Sequence, residues 1–488
     1  MNARTAPAFL RWRTLDGRHL ITNEHGEWHW LPEDDLRALL AGRLPTSSPQ
    51  YEALSRKGFL AATFDASRAL ERLSRRMRAV RSGPNLHVLV VTLRCNHSCQ
   101  YCHASRAPMD RVDTDMSPET ADRVLDVIFQ SPSPAITIEF QGGEPLANFP
   151  VIRHVIEGAR ARNDGRALSF SLVTNLSLMD EEKLAYLIDR RVQICTSLDG
   201  PEDIHNQNRK WAGGNSFQTA LSWVRRINQA WDEAGLDPTL YRVEALPTVT
   251  RAALPRWKEL VDTYVAAGCR SLFLRPLDPF GFASRTGDRL GYRIRDFLDF
   301  YANAVTYMIQ LNLEGVEVLE RNAGIFLTKI LSGEEPNFLD IRSPCGAGIG
   351  QVAYNHDGQV FTCDEGRMVH EMGDPAFLIG DARDDSWASI IAHPTVRSLV
   401  MASTLDGQPG CSTCAYKPYC GVCPVVSYEE QGSIHGRTLE TTICQKHMGI
   451  QDFLFRLLRD ADRPTLDVLR RWTTVREQTH FIQECARL

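Results

Sequence analysis

Cys95, Cys99 and Cys102 lie within one stretch of ten residues, Arg94-Cys95-Asn96-His97-Ser98-Cys99-Gln100-Tyr101-Cys102-His103, and their Cx3Cx2C spacing suits them to metal chemistry. Three soft thiolates on one loop can bind three irons of a cubane cluster and leave the fourth iron without a protein ligand. An open metal position is what catalysis at a metal requires. A structural zinc is the competing reading, and it needs a closed fourth ligand, here His97 or His103. A Gln141-Gly142-Gly143-Glu144-Pro145 turn follows the next strand; its glycines allow close backbone approach, and Glu144 can accept hydrogen bonds from an ammonium group. A second cysteine-rich stretch carries Cys411, Cys414, Cys420 and Cys423 in a Cx2Cx5Cx2C run, with Cys444 beyond it. Upstream of that run stand Cys345 and Cys363, the latter in a Gx4C arrangement from Gly358. Those seven can supply a four-thiolate cluster and three ligands of another, with zinc again the competitor because paired Cx2C is a common zinc pattern.

The elements that must position these groups alternate regularly. Strands are expected over 87–93, 135–140, 168–174, 192–198, 241–249 and 271–277, with amphipathic helices over 118–129, 150–162, 180–189, 216–234 and 254–267, and a last helix over 292–311. Six strands each followed by a helix predict an α/β domain over 84–312: a parallel sheet with right-handed crossovers, and functional residues at the C-terminal strand ends. Periodicity leaves open whether that sheet curls into a partial barrel. Residues 9–62 read as a small α+β unit, with strands over 18–22 and 27–30 around Glu24-His25-Gly26 and helices over 32–40 and 49–57. A basic helix over 64–81 ends at Ser82-Gly83-Pro84. Residues 340–450 are rich in Gly, Pro and Cys, with a helical period returning only over 448–458, as expected of a domain organised by metal rather than by a large core. Residues 451–488 read as a helical tail, polar over 464–488, that carries no chemistry.

Bulk properties agree with this division. At roughly 150 residues per domain, 488 residues make about three units. A net charge of −5 disfavours nucleic acid as a partner. Charges at Arg4, Arg11, Arg13, Asp16 and Arg18 interrupt any leader-like run, and no stretch approaches the ~18–20 apolar residues of a membrane helix. A cytoplasmic chain is expected. Ten of the 13 cysteines fall in the three groups above, which in such a chain points to metal or redox chemistry rather than disulfides. Cys195, Cys269 and Cys485 read as small core hydrophobes.

The cysteine loop after the first strand and the Gly-Gly-Glu-Pro turn after the second, in that order, resemble the radical S-adenosylmethionine (SAM) superfamily over residues 86–310. The resemblance implies a [4Fe–4S] cluster on Cys95, Cys99 and Cys102 whose open iron chelates the methionine of SAM. It implies that Gly142, Gly143 and Glu144 hold the SAM ammonium, that Tyr101 lies beside the adenine, and that Asn175, Ser197 and Asp199 face the ribose and methionine. Arg209 pairs with the SAM carboxylate on the same footing, a geometry that suits arginine. The local alternatives are a turn at Asp199-Gly200 and a helix cap at Asn175.

Residues 340–450 resemble the SPASM module, the auxiliary-cluster domain of radical SAM peptide-modifying enzymes. By that module's pattern Cys411, Cys414, Cys420 and Cys444 bind an outer cluster, and Cys345, Cys363 and Cys423 an inner one. The spacing departs from the module at Cys420-Gly421-Val422-Cys423, one residue short. No further cysteine lies between Cys345 and Cys363. The inner cluster is thus left with an open iron, a non-cysteine ligand or fewer irons. Asp364 stands where related sulfatase-maturing enzymes carry a general base; the alternative is an exposed acidic pair with Glu365. The N-terminal unit looks like winged-helix elements that bind a precursor peptide by strand addition, or it is a packing extension.

Three stretches, 92–102, 130–145 and 273–277, are similar to the His-Xaa-Ser system radical SAM maturases. That similarity implies a repeat-rich precursor peptide as substrate, a second maturase as partner, and a reductant such as flavodoxin or ferredoxin. The expected function is oxidative modification of a ribosomally made peptide or protein by a 5′-deoxyadenosyl radical, the cofactor supplying the chemistry and the protein choosing the carbon. The alternatives are a formylglycine-making sulfatase maturase and a zinc-stapled binding protein without redox activity.

Overall fold

The computed structural model of the protein describes residues 5–474. The N-terminal unit is a three-stranded antiparallel sheet, β1 (Arg11–Leu15), β2 (Arg18–Thr22) and β3 (Trp28–Leu31), followed by helices Glu33–Leu40, Pro49–Arg56 and Ala66–Arg76. β1 is additional to the expected hairpin. Asp16 and Gly17, with φ of 51° and 71°, make the two-residue turn between Leu15 and Arg18. The basic helix breaks at Met77 and resumes over Arg78–Arg81.

The remaining strands are β4 (Leu86–Thr92), β5 (His97–Cys99), β6 (Ala135–Gly142), β7 (Ala167–Thr174), β8 (Gln193–Thr196), β9 (Arg209–Trp211), β10 (Glu244–Ala245), β11 (Ser271–Leu272), β12 (Leu319–Glu320), β13 (Gln351–Tyr354), β14 (Gln359–Phe361) and β15 (Leu378–Asp381). All but β5 and β9 form one sheet, in the order β12-β11-β10-β8-β7-β6-β4-β13-β14-β15. The six expected parallel strands are its centre. The order ends in two free edges, so the sheet is open, consistent with a partial radical SAM barrel rather than a closed one.

Expectation and structure differ in four places. Strands expected over 241–249 and 271–277 shrink to β10 and β11, and Pro247 and Pro276, which cannot donate to a ladder, lie beyond both. The alignment nevertheless continues past them through the parallel Thr248–Arg275 bridge. Pro255 likewise delays the expected 254–267 helix to Trp257–Ala266, after a 3₁₀ segment over Arg251–Arg256. β12 extends the sheet beyond β11, and β13 pairs in parallel with the other edge of β4, followed by the antiparallel β14 and β15. The cysteine-rich segment therefore shares the barrel's sheet. It also holds more helix than expected, over Asp364–Glu371, Pro394–Ser403, Pro424–Gln431 and Thr442–Asp460.

The division at 450/451 falls inside helix Thr442–Asp460. The segment beyond it is not merely polar: Val468, Leu469 and Trp472 of helix Arg463–Thr474 are buried in the main core. Cys269 is buried and Cys195 half-buried; Cys485 lies outside the described residues. No described helix is long and apolar enough to cross a membrane.

The core around β6 and β7 has Phe140 stacked on Phe170, ring centroids 6.4 Å apart, with Phe140 fully buried. Phe140→Ala is expected to lower the unfolding free energy of the protein by about 3–5 kcal/mol, seen as an earlier denaturant midpoint at an unchanged slope.

Candidate active site

The cysteine loop leaves β4 and is fixed by backbone. Leu93 N–H donates to Thr114 O (3.1 Å), Cys95 N–H to Ala107 O (2.9 Å) and Gln100 N–H to Asn208 O (2.9 Å). β5, which carries Cys99, pairs antiparallel with β9, placing Arg209 opposite Cys99. On the far side Phe282 N–H donates to Cys102 O (2.8 Å). Arg94 grips Asp115 with two bonds (Nε–Oδ1 2.8 Å, Nη2–Oδ2 2.6 Å) and reaches the Ala147 carbonyl at 3.0 Å. Asp115 was not singled out in the sequence; the carboxylate lies beyond the loop, 21 residues from Arg94, with no motif around it.

The Gly142-Gly143 turn packs against this loop backbone to backbone. A Cβ on Gly142 would sit 2.1 Å from Thr92 O, and one on Gly143 would sit 2.4 Å from both Leu93 O and Arg94 O. Gly143 N–H donates to Thr92 O (2.9 Å) and Glu144 N–H to Arg94 O (2.7 Å). The glycines thus serve first to let strand ends meet. The Glu144 carboxylate is fully buried. It accepts from Leu146 N–H (3.1 Å), Thr174 Oγ1 (2.6 Å) and Asn175 N–H (2.8 Å), and burial pushes its pKa up to about 7. Three of roughly four acceptor positions are taken by the protein itself, so Glu144 ties the turn to the end of β7.

That tie positions Asn175. Its Nδ2 lies 3.8 Å from Cys95 Sγ and 3.3 Å from Asn96 Oδ1, and its Oδ1 accepts from Ser177 N–H at 2.9 Å. The other tie runs through Asp199, which is fully buried. It accepts from Tyr101 Oη, Arg209 Nε (3.1 Å) and Asn208 Nδ2 (3.3 Å). Arg209 lies over the Tyr101 ring, 5.4 Å from its centroid, with Nη1 3.9 Å from Cys99 Sγ. Ser197 follows β8 and is half-buried. The structure therefore brings Tyr101, Gly142, Gly143, Glu144, Asn175, Asp199 and Arg209 around the three cysteines.

Neither histidine of the loop repeats the other. His97 is buried with both ring nitrogens engaged, Nε2 with Ser216 Oγ (2.7 Å) and Nδ1 with Asn96 Oδ1 (3.1 Å), and its ring stacks on Trp211. Burial, aided by Arg209 and His205, lowers its pKa to about 3, so it is neutral and committed, which removes it as a fourth zinc ligand. His103 keeps a buried Nε2 without a partner among the described residues.

The other seven cysteines separate into two sets. Cys411, Cys414, Cys420 and Cys444 line a single cavity; burial pushes every one of these thiols up, and other thiols of the set add to it at Cys411, Cys420 and Cys444. Cys345, Cys363 and Cys423 are buried together in a small core with Phe280, Val369 and Phe377. No three Cys, His, Asp or Glu side chains among the described residues close around one ion. The donor sets are otherwise suited to iron–sulfur clusters. They are thiol-rich and apolar, and backbone N–H groups point at sulfur in all three: His97 to Cys95 (3.4 Å), Gly366 to Cys363 (3.3 Å) and Tyr416 to Cys414 (3.4 Å). Asp364 is buried rather than exposed, with Oδ1 held by Arg367 Nε at 2.8 Å and Arg367 itself fully buried.

The Radical SAM superfamily model matches residues 89–261. Among sequence relatives, an uncharacterised protein of Methanocaldococcus jannaschii is 30% identical over 193 residues, which are 39% of this chain and 62% of that one. The radical SAM cyclopropyl synthase TigE of Paramaledivibacter caminithermalis is 29% identical over 33% of this chain and 36% of its own length. A cysteine-type anaerobic sulfatase-maturating enzyme of Clostridium perfringens is 26% identical over 55% of this chain and 71% of its own. The chain thus spans less than two thirds of the first relative. Two solved structures share the fold. They are anSMEcpe with bound AdoMet and the Kp18Cys peptide (TM-score 0.63, 21% identity, 77% of this chain and 99% of that one) and Streptococcus suis SuiB bound to precursor peptide SuiA (TM-score 0.54, 12% identity, 90% and 99%). Residues 89–261 are thus similar to the Radical SAM superfamily, and the chain resembles in sequence a radical SAM cyclopropyl synthase and a sulfatase-maturating enzyme.

Gly143→Ala is expected to give a folded protein that loses most of its iron on Cys95, Cys99 and Cys102, because the added methyl must push Leu93 and Arg94 away from the turn. Iron and sulfide analysis of a variant that also lacks the seven C-terminal thiols checks this; unchanged iron content contradicts it.

Proposed function

We propose that the protein oxidatively modifies a ribosomally made peptide or protein, with a His-Xaa-Ser repeat precursor as the substrate the sequence resemblance favours. The observation that carries this reading is the coexistence of three thiol sets. One stands on a loop between two ligand-facing strand ends, and two are gathered in the C-terminal segment. Related folds solved with peptides, anSMEcpe with Kp18Cys and SuiB with SuiA, support a peptide substrate. When bound on Cys95, Cys99 and Cys102, a [4Fe–4S] cluster with SAM supplies reductive cleavage to a 5′-deoxyadenosyl radical that takes hydrogen from a substrate carbon.

The chain's own residues do the positioning. The Gly142-Gly143 turn offers its backbone to the SAM ammonium, while Glu144 holds that turn against the cysteine loop. Arg209 presents a buried cation near Cys99, suited to the SAM carboxylate, and Asp199 fixes its orientation. Tyr101, held through its hydroxyl, offers a ring face for the adenine. The two C-terminal thiol sets would hold auxiliary iron–sulfur clusters, which would supply an acceptor for the electron left on the substrate. A flavodoxin- or ferredoxin-type reductant and a second maturase complete the system. A formylglycine-making sulfatase maturase is comparably supported, by the 26% identity with the Clostridium perfringens enzyme.

Three experiments test these assignments. Replacing Cys95, Cys99 and Cys102 together with Ala is expected to abolish 5′-deoxyadenosine formation under dithionite, and undiminished turnover sinks the site. Co-expression with the neighbouring small open reading frame, followed by mass spectrometry, separates a repeat peptide from a sulfatase as substrate. With the substrate in hand, Asp364→Asn is expected to spare SAM cleavage and cut modified product at least about tenfold if Asp364 takes the proton. Full product yield would leave Asp364 as the structural partner of Arg367.

A further inference from the structure

One face of the central sheet is polar where a barrel interior is ordinarily aliphatic. Along β6, Ile136, Ile138 and Phe140 are fully buried in the main core, and the alternating Thr137, Glu139 and Gln141 are half-buried on the opposite face. β7 and β8 keep this alternation in register. Ser171 stands beside Glu139 and Gln193 beside Ser171, both half-buried, while Phe170, Leu172 and Ile194 belong to the core. The interior of a closed eight-stranded α/β barrel is filled instead by layers of Val, Ile and Leu. Here the half-buried polar side chains leave the face accessible to a ligand.

Glu139 stands mid-sheet on this face. Its Oε1 accepts from Gln141 Nε2 (2.5 Å) and its Oε2 from Ser171 Oγ (3.0 Å). Both donors are neutral, and an ionised carboxylate has roughly four acceptor positions, so about two remain open. Among the described residues no lysine, arginine or histidine pairs with it.

A second carboxylate on the sheet shows the contrast. Glu244, in register with Cys195, accepts from Arg321 Nη1 at 2.6 Å and from Cys195 Sγ at 3.6 Å. Arg321 is itself held over the rings of Phe273 and Phe338, 5.6 and 5.5 Å from their centroids. Glu244 therefore has its counter-ion within the chain. Glu139 has neutral braces, which fix its position without balancing its charge. A partly desolvated carboxylate gains most from a cation brought to it, because hydrogen bonds between ionised partners are the strong ones. Its place also suits a substrate. Gln141 immediately precedes the Gly142-Gly143 turn, and Glu139 stands three residues before Gly142 on the same strand, about 10 Å away.

We propose that Glu139 anchors a cationic side chain of the peptide substrate, an ammonium, guanidinium or imidazolium group taking the carboxylate positions that Gln141 and Ser171 leave open. The inference rests on the reading of the protein as a peptide-modifying enzyme. It adds a specificity rule, that the segment brought to the cysteine loop carries a basic residue.

The test uses the full chain, reconstituted without oxygen and saturated with SAM. The probes are capped peptides, acetyl-Ala-Xaa-Gly-Ser-Ala-amide with Lys, Arg, His, Gln or Glu at Xaa, titrated calorimetrically at about pH 6, where a histidine side chain is largely protonated. At least one basic peptide is expected to bind about tenfold or more tighter than the Gln peptide, and the one that leads identifies the side chain. Glu139→Gln is expected to cut that preference below about twofold while leaving affinity for the Gln peptide unchanged. Glu139→Asp, which keeps the charge but withdraws it by one methylene, serves as the second variant and is expected to weaken the preference without abolishing it. A parent without the preference overturns the proposal, as does a preference that survives both substitutions. Equal loss of affinity for every peptide in Glu139→Gln also overturns it, since the residue then only braces β6 against β7. A parent that binds none of the peptides overturns the underlying peptide reading instead.

Discussion

The site depends on one steric constraint: two strand ends approach so closely that no side chain fits between them. Gly142 and Gly143 lie against Thr92, Leu93 and Arg94 with room for hydrogen and nothing larger. That approach lets Gly143 and Glu144 donate to the carbonyls that begin the cysteine loop. The loop's first turn is therefore an extension of the β4–β6 ladder rather than a free connection. Glu144 then carries the constraint one strand further, because its buried carboxylate collects donors from both the turn and the end of β7. Three strand ends meet at one point, and Asn175, Asn96 and Cys95 are arranged from it. A buried carboxylate with this many donors adds less to net stability than to uniqueness of arrangement, since desolvation offsets much of what its hydrogen bonds contribute.

A comparable constraint joins the C-terminal segment to the barrel. β13 pairs in parallel with β4, with Ala353 opposite Val88, and β14 returns antiparallel with Phe361 opposite Ala353. Cys363 lies two residues past Phe361, and Phe280, which packs with it, is two residues from Phe282, whose N–H donates to Cys102 O. The N-terminal unit braces the outer set in turn. Arg11 Nε donates to Ser412 O (2.6 Å), Thr22 Oγ1 to Ala415 O (2.7 Å) and Tyr419 Oη to Gly26 O (3.1 Å). Arg13 pairs with Asp452 at 2.6 Å, and its charge reaches Cys414. Whatever binds the small unit thus touches the frame of that thiol set.

Local patterns made much of this legible. The cysteine spacing, the Gly-Gly-Glu-Pro turn and the strand–helix alternation are short-range signals, and the structure brings the residues they mark to one place. Non-local pairings were not legible. Nothing near Gln351 announces that it will pair with a strand some 260 residues earlier, and a four-residue apolar strand lacks the length to declare itself. β1 was hidden for another reason. Its inward Arg11 reads as a surface residue until Glu24 and the Ser412 carbonyl are seen to satisfy it, although Asp16-Gly17 was a turn signal in plain view. The exposed-pair alternative for Asp364 and Glu365 stayed open because sequence does not report burial; the structure buries Asp364 against Arg367.

The thiol environments show how the protein prepares for metal before any arrives. Burial favours the neutral thiol, so Cys99, Cys345 and Cys411 are pushed up to about 12, and Cys95, Cys363 and Cys423 are raised as well. Uncharged sulfur is a weak ligand, and iron must displace the proton to bind. Opposing that barrier, backbone N–H groups at His97, Gly366 and Tyr416 already point at sulfur, and Arg209 lies beside Cys99. These donors are fixed by the fold and interact more strongly with thiolate than with thiol. The pocket is therefore apolar enough to hold neutral thiols without metal. Were iron to take the proton's place, the same donors would already face the charge left on sulfur.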